Sequence, residues 1–403
     1  MSTQPSIDKH IFDILVERGF VQQSTDESAL REALNKPLTF YIGFDPTADC
    51  LHVGHLVPIM LMSWLQKAGH RPIIVLGGGT AMIGDPSGKD KTREILTPEK
   101  IQHNLRAQKE LFRRFVDLDQ AIVVDNGEWL LELNYVDFLR DIGKHFSVNR
   151  MIASSGAQQR LERGQGYSFI EFNYHLCQSY DYLVLNQQHG CTLQCGGDDQ
   201  WFNILGGVDL VRREQGEAVH ALTLPLVVTS DGKKMGKTEK GAVWIEASRV
   251  SPYDYYQYWV NVPDADVVKM MKLYTYMPLV EVERYAALTG ADIRQAKAAL
   301  AFEATKLAHG EIEAKKAQEA AKDAFSGAAT ANMPKVELAL PCSLVSVLKE
   351  ATFAQSNGAA RRLIQGGGVR IGDQKVTDIG ATVDEECVVW AGKKRCVRVV
   401  SSR

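Results

Sequence analysis

The sequence predicts an α/β protein in which a parallel sheet covered by helices is followed by an α-helical domain and a small α+β domain. Short apolar strands alternate with longer helices through the first 247 residues, which is typical of a parallel sheet. From residue 252 to residue 322 the apolar periodicity is helical throughout. The tail from residue 338 onward carries ten Lys and Arg against six Asp and Glu, whereas the whole chain has a net charge of −3. A basic tail on an acidic body favours contact with a polyanion, and a solubility cap is the alternative.

The first predicted strand and the helix after it enclose two histidines. Residues 38–44 form the strand, residues 56–68 form an apolar helix, and the loop between them carries His52, Gly54 and His55. The start of a helix has free backbone N–H groups and a partial positive charge, which suit a phosphate. Glycine allows close approach of a nucleotide, and imidazoles can donate hydrogen bonds to phosphate oxygens. A metal site and two satisfied loop histidines are the alternatives, but no third and fourth zinc ligand is close in the sequence.

The remaining elements are justified by the same periodicities. Residues 7–34 predict two short amphipathic helices before the first strand. Residues 128–165 are helical and interrupt the alternation, so they predict a connecting insertion between two halves of the sheet. In a Rossmann-like sheet of this kind, ligands bind at the carboxyl ends of the strands. The other predicted elements are a strand from Arg71 into the glycines at 77–79, helix 98–115, strand 121–124, helix 168–179, strand 191–195, strand 218–228, helices 344–349 and 356–364, and a hairpin over 369–376.

Two polar segments could bind charged ligands. The lysine-rich loop from Gly232 to Thr238 is similar to a P-loop, but it has three residues between its glycines where a P-loop has four. A solvated surface loop and a clamp on a polyphosphate leaving group both remain open for it. Tyr174, Gln178 and Asp181 share one helix face because their spacing is i, i+4, i+7. That face is either an ordinary polar surface or a grip for a small zwitterion.

Composition excludes several classes of protein. The seven cysteines are scattered and odd in number, so no disulfide framework is predicted and a reducing cytoplasm is expected. The longest strongly apolar run, residues 56–65, is too short to span a bilayer. The N-terminus has no signal-peptide core. We therefore expect a cytoplasmic protein that does not enter a membrane.

Two motifs resemble the signatures of class I aminoacyl-tRNA synthetases. They are His52-Val-Gly-His55 and Lys234-Met-Gly-Lys237-Thr238. More narrowly, the chain resembles the bacterial tyrosyl-tRNA synthetases over essentially its whole length. Further motifs of that family follow in order, namely Tyr41-x-Gly-Phe-Asp45-Pro-Thr47, Gly84-Asp-Pro-Ser-Gly88, Tyr174-x-x-x-Gln178-x-x-Asp181 and Gly196-Gly-x-Asp199-Gln200-Trp201. Two departures are Gly236, where the general signature has serine, and Asp198, where many relatives have serine.

The resemblance implies a domain order and a reaction. It implies a Rossmann-like catalytic domain over 1–247, an α-helical tRNA-binding domain over 248–323, a linker over 324–337 and a ribosomal-protein-like RNA-binding domain over 338–403. The implied reaction joins L-tyrosine to ATP as tyrosyl-adenylate, with release of pyrophosphate, and then transfers the tyrosyl group to tRNA(Tyr). Mg²⁺ is implied with ATP, and a homodimer is implied with residues 128–165 as the interface.

The resemblance also implies a role for each site residue. The groups assigned to catalysis are His52, His55, Lys89, Arg93, Lys234, Lys237 and Thr238. The groups assigned to ATP are Asp45, Thr47, His52, Gly54, His55, Gly197, Asp199 and Lys237. The groups assigned to tyrosine are Tyr41, Thr80, Asp85, Asn126, Tyr174, Gln178, Asp181 and Gln200. The groups assigned to tRNA are Lys349, Arg361, Arg362, Lys375, Lys393, Lys394 and Arg395. No resident metal site is expected.

Three other functions share parts of this pattern. A tryptophanyl synthetase has the same class of fold, but Tyr41 with Asp181 and the basic tail argue against it. A small nucleotidylyltransferase shares His-x-Gly-His and has no need of the helical and tail domains. A non-enzymatic RNA-binding paralogue is disfavoured, because four signature residues are intact, namely His52, His55, Lys234 and Lys237.

Overall fold

The computed structural model describes residues 9–85, 96–164, 168–230, 232, 235–238, 241–326, 334–392 and 395–402. The helices are α1 (Ile11–Arg18), α2 (Glu27–Ala33), α3 (Val53–Lys67), α4 (Pro98–Phe112), α5 (Gly127–Leu130), α6 (Tyr135–Asp141), α7 (Val148–Ile152), α8 (Ser155–Glu162), α9 (Phe169–His189), α10 (Trp201–Gln215), α11 (Pro252–Val260), α12 (Val267–Tyr274), α13 (Leu279–Ala286), α14 (Ile293–His309), α15 (Glu311–Ser326), α16 (Leu344–Glu350) and α17 (Asn357–Gln365). The strands are β1 (Gln23–Ser24), β2 (Thr39–Phe44), β3 (Arg71–Leu76), β4 (Ile122–Asp125), β5 (Cys191–Gly197), β6 (His220–Leu224), β7 (Lys237–Thr238), β8 (Gly241–Ala242), β9 (Lys335–Leu338), β10 (Cys342–Ser343), β11 (Val369–Ile371), β12 (Gln374–Val376), β13 (Thr382–Val383), β14 (Cys387–Ala391) and β15 (Arg395–Ser401). Among these residues, no helix has the length and apolar character needed to cross a membrane.

The first sheet has the strand order β1-β6-β5-β2-β3-β4. Strands β2 to β6 pair in parallel, and β1 runs antiparallel to β6 at the edge. The chain passes from β2 to β3 and β4 on one side and later returns to β5 on the other side of β2. The connections therefore diverge between β2 and β5, and this divergence opens a crevice at the carboxyl ends of those two strands.

Helix α3 lies at the centre of the largest hydrophobic core. Ten of its fifteen residues are buried, so it meets neighbours on nearly every side. This core extends from Ile11 through the sheet to Ala317 in the helical region. Arg18 joins the sheet region to the helical region. Its guanidinium donates to the carbonyl oxygens of Thr275 and Met277 and stacks 4.1 Å from the Trp64 ring. The predicted division at residue 247 is therefore not a boundary between separate cores.

The C-terminal part has a core of its own. Its five-stranded sheet has the order β12-β11-β14-β15-β9, and the buried faces of α16 and α17 pack in the same core as residues of that sheet. Strand β9 (Lys335–Leu338) pairs in parallel with β15, and α15 continues to Ser326. The predicted linker over 324–337 was therefore too long at both ends. Between those ends, residues 327–333 lie outside the described residues.

Several element boundaries differ from the prediction for identifiable reasons. Helix α9 was predicted to end at Ser179, but it continues for ten more residues to a left-handed Gly190 with φ 61°. Its polar residues in mid-helix face the crevice and break the apolar pattern on which the prediction depended. Strand β6 is shorter than predicted and ends just before Pro225, which lacks the N–H that a strand needs.

Candidate active site

A cleft at the carboxyl ends of β2 and β5 collects most of the predicted binding residues. Those that line it are Tyr41, Asp45, Thr47, His55, Thr80, Asp85, Asn126, Tyr174, Gln178, Asp181, Gly197 and Gln200. His52, Gly54 and Asp199 adjoin these residues along the chain. Lys89, Arg93 and Lys234 lie outside the described residues, and only the backbone of Lys237 and Thr238 is described. The sheet thus brings together residues that are up to 159 positions apart, from Tyr41 to Gln200.

One end of the cleft holds a buried hydroxyl beside a buried carboxylate. Tyr41 is 1% exposed, and its hydroxyl has no hydrogen-bond partner among the described residues. Asp181 is 4% exposed and accepts from Asn126 Nδ2 at 3.0 Å and Trp129 Nε1 at 2.8 Å. Burial raises the pKa of Asp181 to about 7, and the neighbouring carboxylates of Asp45 and Asp125 add to the rise. An unpaired buried hydroxyl costs about 1–3 kcal/mol, so this end suits a ligand that supplies a hydroxyl group.

Trp129 was missed by the sequence analysis. Its indole N–H can only donate, and here it fixes one oxygen of Asp181 from 52 positions away. The residue follows the end of β4 directly, within the short helix α5. An aromatic residue just past a strand end was the available signal, but no motif marked it.

The middle of the cleft is a hydrogen-bonded network around Asp45. Thr80 Oγ1 donates to Asp45 Oδ1 at 2.9 Å, and the Tyr174 hydroxyl donates to Asp45 Oδ2 at 3.3 Å. Asn126 Nδ2 donates to Thr80 Oγ1 at 3.1 Å and also to Asp181, so it connects the network to the buried end. These bonds hold the side chains in place before any ligand arrives, which is the preorganisation that a binding site needs.

A second network forms the opposite wall. Gln200 Nε2 donates to Asp85 Oδ2 at 3.0 Å. Asn203 Nδ2 donates to Gln178 Oε1 at 3.2 Å and to Gln200 Oε1 at 3.4 Å. Asn203 itself is not among the residues that line the cleft. It is the second residue that the sequence did not reveal, because its glutamine partners belong to two different motifs.

The two histidines cap helix α3. His52 Nδ1 accepts from the Gly54 N–H at 3.0 Å, and His55 Nδ1 accepts from the His52 N–H at 3.2 Å. The two rings stack with centroids 3.9 Å apart. Because each Nδ1 is an acceptor, a neutral ring carries its proton on Nε2 and can donate from there.

The first-turn N–H groups of α3 are already paired, contrary to the prediction. The Val53 N–H donates to the Val243 carbonyl oxygen at 2.9 Å, and the Gly54 N–H donates to His52. The expectation that free N–H groups at this helix end would bind phosphate was therefore wrong. The side chains of His52 and His55 and the helix dipole are what this end offers to an anion.

The lysine-rich loop packs against this helix end through two glycines. Gly236 has φ 78°, and a Cβ on it would lie 2.8 Å from the Gly54 nitrogen. A Cβ on Gly54 would lie 3.2 Å from the Met235 carbonyl oxygen. The position of Gly236 therefore favours glycine on two grounds, its positive φ and its close approach to Gly54, and this accounts for glycine where the general signature has serine.

Asp198, the other departure, points away from the cleft. Its Oδ1 accepts from Gln23 Nε2 at 2.6 Å and from Thr223 Oγ1 at 2.8 Å. Gln23 belongs to β1, the two-residue edge strand, and Thr223 lies in β6. Asp198 is therefore an anchor between the edge of the sheet and the turn that carries Asp199.

The predicted tRNA-binding residues that the structure describes belong to the C-terminal part, and none of them lines the cleft. Lys349, Arg361, Arg362 and Lys375 are exposed. Arg395 is half-buried, and its guanidinium donates to the Phe353 carbonyl oxygen at 3.3 Å. Lys393 and Lys394 lie outside the described residues.

Comparison with known proteins identifies both parts of the chain. The family model for tRNA synthetases class I (W and Y) matches residues 32–326, and the model for the S4 domain matches residues 343–389. The tyrosine–tRNA ligase of Clostridium tetani is 50% identical over 404 residues, which cover 97% of this chain and 99% of that protein. The tyrosine–tRNA ligase of Clostridium botulinum (strain Alaska E43 / Type E3) is 52% identical over 385 residues, which cover 94% of each chain.

A solved structure gives the same result. The C-terminally truncated mitochondrial tyrosyl-tRNA synthetase of Aspergillus nidulans superimposes with a TM-score of 0.70 and 28% identity, covering 78% of this chain and 94% of that one. The relatives and the family model cover both the sheet and the helical region. The chain therefore belongs to the tyrosine–tRNA ligase family of the class I tRNA synthetases.

Proposed function

We propose that the chain is a tyrosine–tRNA ligase, which activates L-tyrosine with ATP and then transfers the tyrosyl group to the 3′ end of tRNA(Tyr). The observation that carries this proposal is the unpartnered Tyr41 hydroxyl next to Asp181 at the closed end of the cleft. A phenol can donate to Asp181 and accept from Tyr41, so it satisfies both groups. The near-complete match to relatives that are about 50% identical supports the same substrate.

The first step forms a bond between a tyrosine carboxylate oxygen and the α-phosphorus of ATP, and the bond to pyrophosphate breaks. A carboxylate is already a nucleophile, so the step needs alignment and charge stabilisation rather than a general base. We propose that His52 and His55 donate from Nε2 to the phosphate oxygens as charge develops on them. Mg²⁺ enters with ATP as part of the substrate and is held mainly by phosphate oxygens.

We propose that the ammonium group of tyrosine lies in the middle of the cleft. The Tyr174 hydroxyl oxygen, the Gln178 amide oxygen and the Asp85 carboxylate are the acceptors that we assign to it. Asp45, Thr47, Gly197 and Asp199 are assigned to ATP, with Gln200 near the reacting groups. With the phenol fixed at one end and the triphosphate at the other, the carboxylate is presented to the α-phosphate.

We propose that the C-terminal part binds tRNA and that the helical insertion forms a homodimer interface. Exposed cations on the C-terminal part suit phosphate contacts, which position an RNA and make its binding salt-dependent. Five large apolar side chains in the insertion region are at least 50% exposed, namely Leu131, Tyr135, Val136, Val148 and Leu161. Such a concentration of exposed apolar side chains favours burial against a second copy. We propose a cytoplasmic location, as expected for an enzyme of protein synthesis.

The test is ATP–pyrophosphate exchange with different amino acids. We expect exchange that depends on tyrosine. Exchange with tryptophan, or exchange without any amino acid, would contradict the proposal.

Replacing Gly236 by serine is expected to lower the rate of tyrosine-dependent exchange about tenfold. A side chain at φ 78° costs roughly 1–2 kcal/mol, and its Cβ would also collide with the Gly54 nitrogen. The Michaelis constant for tyrosine should stay within about twofold, because neither glycine lines the phenol end. Gly232→Ser is the matched control, since Gly232 has φ 80° but no atom within 4 Å of its Cβ position. Equal losses in the two variants would show that backbone strain alone, without the contact to Gly54, explains the effect.

Replacing Asp181 by asparagine is expected to change how stability depends on pH. Burial raises the pKa of Asp181 from 3.8 to about 7, so the folded protein binds this proton more tightly than the unfolded chain does. The resulting stabilisation is complete at low pH and is lost as the pH rises through 7. The wild type should therefore lose on the order of 3 kcal/mol of unfolding free energy between pH 5 and pH 8 that Asp181→Asn does not lose. Urea unfolding at several pH values measures the difference, and a difference that does not change with pH would contradict the expectation.

A further inference from the structure

Asn203 connects three groups around the ammonium end of the cleft without lining the cleft. It lies in the first turn of α10 and is 7% exposed. Its Nδ2 donates to the side-chain oxygens of Gln178 and Gln200, and its Oδ1 faces His175 Nδ1 at 3.2 Å. Both glutamines line the cleft. Asn203 can therefore influence a bound ligand through those two side chains.

Asp85, Gln200, Asn203 and His175 form a row of hydrogen bonds, and Asp85 at one end of the row fixes the donor and acceptor of each bond. A carboxylate only accepts, so Gln200 presents its Nε2 to Asp85 and its Oε1 to Asn203. Asn203 must then present its Nδ2 to the glutamines and its Oδ1 to His175. His175 accordingly donates from Nδ1. Burial lowers the pKa of His175 to about 4, so the ring is neutral and has one N–H to give.

His175, at the other end of this row of hydrogen bonds, is held in place by packing. The His175 ring stacks on Phe202 with centroids 4.3 Å apart and meets the edge of Phe146 at 5.2 Å. Helix α10 also passes close to this ring, because a Cβ on Gly206 would collide with His175. With the imidazole fixed on one side and Asp85 on the other, the amide of Asn203 has one favourable orientation.

The orientation of the glutamine amides decides whether they attract or repel a cation. The terminal torsion of glutamine has two broad wells, so an unrestrained amide can present either its oxygen or its NH₂ group. An amide oxygen has two lone pairs, and Gln178 Oε1 can accept from Asn203 and from an ammonium group together. The flipped amide would place N–H groups against the positive charge.

We propose that Asn203 is a positioning residue for the amino-acid substrate, which holds the amide oxygen of Gln178 toward the ammonium group and fixes the amide of Gln200 beside Asp85. This inference rests on the proposed function, because it takes tyrosine as the ligand. It deepens that function by assigning recognition of the ammonium group to a hydrogen-bond chain that begins outside the cleft.

The test compares two ligands that differ only in the ammonium group. Asn203→Leu is expected to raise the Michaelis constant for tyrosine about tenfold in ATP–pyrophosphate exchange, the effect of roughly one hydrogen bond to a charged group. The Michaelis constant for ATP should stay within about twofold. Inhibition by 3-(4-hydroxyphenyl)propionate, which is tyrosine without its amino group, should also stay within about twofold, because that ligand has no ammonium group to bind the Gln178 amide oxygen.

Asn186→Leu is the matched control. Asn186 is also 7% exposed and lies in α9, but its Nδ2 donates to the Cys191 carbonyl oxygen and to Glu217, away from the cleft. Any loss of stability in this variant comes from its own contacts, so we expect no selective rise in the Michaelis constant for tyrosine. Should Asn203→Leu fail to fold, Asn203→Ser removes the same two contacts with a smaller polar side chain and is measured in the same way.

Three outcomes would overturn the proposal. They are equal weakening of tyrosine and of the amine-free inhibitor, no change in either constant, and the same selective loss in Asn186→Leu. Absence of tyrosine-dependent exchange in the wild type is a different result, because it would reject the proposed function itself.

Discussion

Truncation of the chain after Ser326 is expected to reduce aminoacylation of tRNA by roughly 100-fold or more, because several phosphate contacts are lost together. Tyrosine-dependent ATP–pyrophosphate exchange should stay within about twofold of the full-length rate. All residues that line the cleft precede residue 201, and the core that supports them ends at Ala317. The C-terminal core is a separate cluster over residues 336–399, so its removal leaves the larger core intact. Exchange and charging assays on the same preparation measure both effects.

A full-length variant separates loss of charge from loss of the domain. Arg361, Arg362 and Lys375 are exposed and can be replaced by glutamine without disturbing the core. We expect weaker tRNA binding and a shallower dependence on salt, by about 0.7–0.9 in the logarithmic slope for each lost phosphate contact. A folded truncation that loses ATP–pyrophosphate exchange would show that the C-terminal part contributes to activation. An unchanged salt slope in the glutamine variant would contradict the assignment of these three side chains.

Replacing Asp181 by alanine is expected to reduce discrimination between tyrosine and phenylalanine by roughly 10- to 100-fold. In the wild type, phenylalanine leaves the buried Tyr41 hydroxyl unpaired, and this penalty disfavours its binding. Without Asp181, the phenol of tyrosine loses its hydrogen-bond acceptor. The difference in binding free energy between tyrosine and phenylalanine therefore becomes smaller. The measurement is the ratio of kcat/KM for the two amino acids in ATP–pyrophosphate exchange.

A second substitution at the same end gives the control. Tyr41→Phe removes the other predicted phenol partner and should also relax discrimination. Tyr182→Phe is the comparison, because the Tyr182 ring packs against Tyr41 with centroids 5.3 Å apart, while its hydroxyl donates to the His220 carbonyl oxygen. Selectivity that is unchanged in Asp181→Ala, or lost equally in Tyr182→Phe, would contradict the assignment of Asp181.

Much of the fold was predictable because its signals are local. The apolar runs that became β2 and α3 stand out in the sequence, and the polar residues that follow strands were expected to meet at one edge of the sheet. Strand β1 was not predictable, since two residues carry no periodicity and pair only because β6 offers a free edge. Helix α9 was predicted too short because its site-facing residues are polar where a helix core is usually apolar.

The site residues that belong to sequence motifs were predictable. The residues that only bond to them in the folded structure were not. Trp129 and Asn203 bond to motif residues 52 and 25 positions away, and no local pattern marks such pairs. The pairing of the first N–H groups of α3 was also hidden, because one of their acceptors is Val243, far along the chain. Each of these features depends on tertiary packing, which a periodicity does not encode.

The continuous core across residue 247 bears on how such proteins can be recombined. Arg18 and the residues around α3 are shared between the sheet and the helical region, so neither can be replaced without redesigning their common interior. The C-terminal part has an interior of its own, and the Cys396 thiol contacts Tyr253 of the helical region from outside that interior. Chimeras of related chains joined between Ser326 and Lys335 should therefore fold, whereas chimeras joined near residue 247 should yield aggregated protein.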